Sequence, residues 1–109
     1  MTEVTIYKDA NGEIAGFELH GHADFNLTGE DVLCAAVSTL VSHTIGAINE
    51  FTSDACENIV DEATPKVLFK LTDDSPSAES RMMLNAFESS IADLADAHPE
   101  NITMIIREV

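Results

Sequence analysis

Positive charge is what this 109-residue chain has least of: 5 Lys and Arg stand against 20 Asp and Glu, a formal net charge of -15. Nucleic-acid binding by phosphate neutralisation needs a clustered basic surface, so no direct nucleic-acid partner is expected. Such a chain attracts a basic partner, apart from the plainer use of charge as a solvated exterior. Cysteine is scarce too. Cys34 and Cys56 are the only two, and without a secretory signal they exclude a disulfide framework and leave thiol chemistry or burial. The longest unbroken apolar run, Val32 to Val37, is too short to span a membrane, and no basic region followed by an apolar stretch opens the chain. The expectation is a cytoplasmic protein with no membrane partner, and no repeat or low-complexity segment divides it.

A length of 109 residues with 45% hydrophobic content suits one domain, residues 1–109, with a real core. Val4 and Ile6 alternate with Thr5 and Tyr7, and Asp9-Ala10-Asn11-Gly12 supplies turn chemistry. Ile14 to His20 then returns as the second strand of a hairpin. Gly21 is placed where the backbone leaves the sheet in a conformation other residues resist. Asp24 to Glu30 reads as a loop, and Asp31 as the N-cap of a helix to about Phe51, its apolar set falling at helical spacing. Because Val32 to Val37 is apolar on all sides, the first half of that helix is expected to be largely buried, close against a sheet. Cys56–Asp61 and Lys66–Thr72 bracket the turn Glu62-Ala63-Thr64-Pro65 as a second hairpin. Ser75 as N-cap with Pro76 behind it opens a second helix that His98-Pro99 stops, and Ile102–Arg107 is a last strand. The order strand-strand-helix-strand-strand-helix-strand implies an α+β domain, a mainly antiparallel sheet of about five strands packed with two helices. Met82, Met83 and Met104 read as packing residues.

The chemistry-bearing stretch is Gly21 to Ser38. A cysteine in the first turn of a helix has its thiol pKa lowered by unpaired amides and the positive end of the dipole, and Cys34 meets that condition if the helix starts at Asp31. A histidine in reach takes the thiol proton and returns it to a leaving amine; His22, at the end of a strand twelve positions earlier, is that base if the loop folds back. Asp31 is an orienting carboxylate for the imidazole or only a helix cap, since its charge also opposes a thiolate. Ser38 lies one turn beyond Cys34 on the same face, as a substrate contact or a serine bonded to its own backbone. Amides around Cys34 are candidates for receiving an oxyanion. Asp24, Phe25, Leu27 and Gly29 belong to a loop that could gate the site. Spacing alone favours inert packing for Cys34, since one cysteine and one histidine close in sequence form a weak motif.

Gly21-His22-Ala23, then Gly29-Glu30-Asp31, then Cys34-Ala35-Ala36-Val37-Ser38 resembles the signature of the ribosomal-processing cysteine protease family, and length and element order match along nearly the whole chain. The resemblance implies a homodimeric α+β protease that removes a short N-terminal extension from a large-subunit ribosomal protein, cleaving after an aromatic residue. It also implies Cys34 and His22 as the dyad, with Asp31 at the family's acidic position, Ser38 at its serine, and no cofactor. A basic ribosomal protein would give the acidic surface a partner to steer. Two other readings stay open at this point. One is a non-catalytic acidic module that escorts a basic ribosomal protein. The other is a metal site on His20 and His22 with Asp24 nearby, which lacks a third and fourth ligand.

Overall fold

The structure, a computed structural model, describes residues 2–21, 29–61 and 66–109, with residues 29–31 described by backbone alone. Strands β1 (Thr2–Lys8) and β2 (Ile14–Gly21) form the first hairpin, and helix α1 (Gly29–Phe51) follows. Strands β3 (Cys56–Asp61) and β4 (Lys66–Leu71) form the second, before helix α2 (Ala78–Ala97) and strand β5 (Ile102–Glu108). The five strands make one sheet in the order β3-β4-β2-β1-β5. All pairings are antiparallel except β1 with β5, which run parallel with Thr2 beside Ile102 and Lys8 beside Glu108.

The first turn forms as its residues dictate. Asp9 Oδ1 accepts from the amides of Asn11 and Glu13 at 2.8 and 3.1 Å, and Gly12 takes the positive φ of 78° that closes the turn. Strand alternation then sends Val4, Ile6, Phe17 and Phe69 to one face, where they are fully buried with Val37, Ile48, Leu84 and Ile91 from the helices. Phe17 is the hub of this core: its ring centroid lies 5.3 Å from that of Phe69 and 4.3 Å from that of Phe87. The opposite sheet face is polar, with Glu18 accepting from the Tyr7 hydroxyl at 3.0 Å and 3.6 Å from Lys66 Nζ. Burial, and next the bond to Glu18, push the Tyr7 hydroxyl pKa up.

Helix α1 departs from its sequence reading in three ways. It begins at Gly29, so Asp31 is its third residue and not its N-cap, and Gly29 belongs to the helix and not to the loop. Its first half is not largely buried: Val32 is 71% exposed, Ala35 and Ser38 are exposed, and Val37 is the first residue of the inward line Val37, Val41, Thr44 and Ile48. Helix α2 and the sheet cover only one side of it, so apolarity all round did not become burial all round. Phe51, at the far end, is 75% exposed. Counting the unbroken run also understated its length, since Val32–Phe51 is long and apolar enough by composition to cross a membrane, with a mean hydropathy of 1.5. Its inward line is committed to the core.

Helix α2 starts two residues later than expected, with Ser77 and not Ser75 as N-cap. Asp54, in the connection after α1, decides the position. Its carboxylate accepts from the Ser77 amide at 3.0 Å and the Ser77 hydroxyl at 2.7 Å, and from the buried Ser80 hydroxyl, while Ser77 Oγ caps the Ser80 amide at 3.2 Å. The bonds from Ser77 and Ser80 hold the Asp54 carboxyl below its ordinary 3.8. A carboxyl depressed by folding adds stability above its unfolded pKa and loses that contribution as pH falls through the folded value. The melting temperature of Asp54→Asn is therefore expected below wild type at neutral pH, with the gap narrowing on acidification. Ser77→Ala is expected to cost about 1 kcal/mol as a lost cap, read from chemical denaturation. His98 ends the helix as expected, its amide bonding Leu94 O at 2.9 Å. Of the three methionines read as packing residues, Met83 and Met104 pack against the core and Met82 does not, being 65% exposed.

Candidate active site

Strand β2 delivers the chain to the site and α1 carries it away. At the end of β2, Gly21 is favoured by proximity and not by backbone sign: a Cβ there would stand 3.0 Å from Thr2 Cα and 3.3 Å from its side chain, and among the described residues only Gly12 has positive φ. The glycine lets the ends of β1 and β2 close together, with Thr2 opposite Gly21. His22 itself and the proposed gate residues Asp24, Phe25 and Leu27 lie outside the described residues.

Cys34 is the sixth residue of α1. It is half-buried, on the flank of the inward line, with the exposed Ser38 one turn further along the same side. The expected place in the first helical turn is therefore not where it sits. Four amides are unbonded at a helix start, and the dipole's influence fades within that first turn, so Cys34 stands beyond both.

Cys56 occupies a different environment. It opens β3, packs partly against the core, and its thiol donates to Asn49 Oδ1 at 3.0 Å across the α1–β3 turn. Nothing in the sequence pattern links Asn49 to Cys56; the pairing forms where the end of α1 meets the start of β3 across the connection 52–55. Among the described residues no three His, Cys, Asp or Glu side chains gather to hold a metal; His20 lies on the polar sheet face, and His22 and Asp24 lie outside the described set.

Residues 1–103 match the sequence model of the family described as cysteine protease Prp. The chain belongs to that family. Solved structures agree in fold over the whole length. The essential ribosomal processing protease Prp of S. aureus, in complex with a substrate peptide, is 22% identical with a TM-score of 0.88, over 98% of this chain and all of that one. The same protease with a covalently linked product peptide is 23% identical, with a TM-score of 0.86 over the same shares. SMU.848 of Streptococcus mutans is 27% identical, with a TM-score of 0.90 over 100% of this chain and 96% of its own. No curated protein sequence gives a significant match. The chain is thus a cysteine protease of the Prp family, and its chemistry has to run through one of its two thiols.

Proposed function

We propose that Cys34 is the nucleophile and His22 the general base of an endopeptidase that removes a short N-terminal extension from a large-subunit ribosomal protein. The observation that carries this reading is the family match across residues 1–103, which spans the Gly-His-Ala and Cys-Ala-Ala-Val-Ser segments on the two sides of one connection. In the reaction, the Cys34 thiol loses its proton to the His22 imidazole and Sγ attacks the scissile carbonyl. The tetrahedral intermediate collapses as the imidazolium protonates the departing amine. The resulting thioester is hydrolysed by water, which gives its proton to His22 and restores the thiol. Ser38 is exposed on the side of Cys34 and serves as a substrate contact. Asp31, inside the helix and three residues before Cys34, orients the base or the substrate.

The related S. aureus protease binds a substrate peptide and a covalently linked product peptide, which supports a covalent thiol route here. The protein acts as a homodimer in the cytoplasm, where its substrate is made. The net charge of -15 favours a basic substrate. Incubation with the ribosomal protein carrying its extension, followed by mass spectrometry of the products, is expected to show one cut after an aromatic residue. An uncut substrate would overturn the assignment. The rate at substrate concentrations below KM is expected to fall several-fold between about 0.05 and 0.3 M salt, as steering is screened. A salt-independent rate would remove the steering role.

A further inference from the structure

The sheet ends at β3, and among the described residues no strand pairs with its outer edge. An open edge of this kind is a template for another strand, and proteins usually guard it. Here it carries two apolar side chains in succession, Ile59 on the polar sheet face at 48% exposure and Val60 on the helix side at 64%. Flanking Ile59 on the same face, two residues to either side, are Glu57 and Asp61. The neighbouring strand answers them: Lys70 stands opposite Glu57, Leu68 opposite Ile59, and Lys66 opposite Asp61. The sheet therefore runs from a basic–apolar–basic column on β4 to an acidic–apolar–acidic column on β3, and a strand added beyond β3 is complementary to it if it too reads basic–apolar–basic.

A second copy does not fit this edge. Antiparallel self-pairing centred on Ile59 sets Glu57 against the other copy's acidic residue at position 61, and parallel in-register pairing sets each acid against itself; like charges directly opposite oppose pairing. A cationic extended segment sets opposite charge against both acids. Asp61 shares its cross-strand row with Lys66 and His20, so the edge ends on the side of the sheet where β2 ends. Three strand spacings put an added strand about 14 Å from His20, a distance that about four extended residues cross.

We propose that the outer edge of β3 is an exosite that takes an extended segment of the substrate as a sixth strand, reading the pattern basic–x–apolar–x–basic about four or more residues from the scissile bond. This deepens the proteolytic reading and rests on it for the substrate's identity. Two peptides test it, both carrying the cleavage sequence, one continued through Lys-Thr-Val-Thr-Lys and one through Glu-Thr-Val-Thr-Glu. Hydrogen exchange on the Cys34→Ala protein is expected to show slowed amides within residues 56–61 with the lysine peptide and not with the glutamate peptide. On active enzyme, the glutamate continuation is expected to raise KM about tenfold with kcat little changed. The double variant Glu57→Lys, Asp61→Lys should exchange the two preferences while cleaving a short peptide without either continuation at the wild-type rate. Absence of protection in β3, or indifference of KM to the charge of the continuation in both proteins, would overturn the exosite. If the protein cuts none of these peptides, the proteolytic reading fails by that result, and the exchange experiment still decides whether β3 binds the cationic strand.

Discussion

Cys34→Ala is expected to lower kcat for the extended ribosomal substrate by at least about 10³, and His22→Ala by a comparable factor, with the double variant no worse than the more impaired single one. Non-additivity of this kind marks two groups acting on one proton and one bond, and independent packing roles would instead give additive losses. The position of Cys34 sharpens the expectation. A thiol in the first helical turn would keep part of its reactivity without a base, through the unbonded amides around it. As the sixth residue of α1, Cys34 stands past those amides, so removing His22 should cost nearly as much as removing the sulfur. Alkylation by iodoacetamide near neutral pH is the companion measurement: the Cys34 rate is expected to drop sharply in His22→Ala, while Cys56, bonded to Asn49, should be unchanged. Equal alkylation of Cys34 in both proteins would remove His22 from the dyad.

Phe17→Ala is expected to destabilise the domain by about 3–5 kcal/mol, the range for deleting a buried aromatic side chain. The ring is fully buried and touches both Phe69 on β4 and Phe87 on α2, so its loss opens a cavity at the junction of sheet and helix. Set against a total stability of about 5–15 kcal/mol for a domain of this kind, the variant should melt roughly 15–25 °C lower. Phe51→Ala is the control. That ring is 75% exposed at the end of α1, and its removal should change stability by no more than about 0.5 kcal/mol.

Much of the fold was legible because its signals are local. Asp9 to Gly12 announced the first turn by chemistry that the hydrogen bonds repeat, and the alternation around Phe17 and Phe69 named the buried face. The errors arose where a distant residue decides. Ser75-Pro76 is a good helix start read alone, yet Asp54 reaches Ser77 from 23 positions away and sets the cap there. The apolar stretch after Asp31 gave no sign of which side would be covered, since that depends on where α2 lies. The parallel pairing of β5 with β1 has no local mark at all. At the candidate site, the sequence identified the helix that carries Cys34. It misplaced the helix start by two residues and gave Gly21 a conformational role where proximity to Thr2 is the reason.

The register of β1 with β5 has a bearing on when the protein can exist as a folded body. Thr2 pairs with Ile102, a contact that spans nearly the whole chain, and a loop of that size must close before the β1–β5 ladder forms. During synthesis, the first strand emerges early and waits for the last one, which is still inside the ribosome when α2 is complete. The hairpins and helices can gather meanwhile, but Val4 and Ile6 stay beside an open edge until Ile102 and Met104 arrive. A protease assembled in this order is not finished until β5 has been made, and a chain stopped short of β5 lacks the strand that closes this side of the sheet.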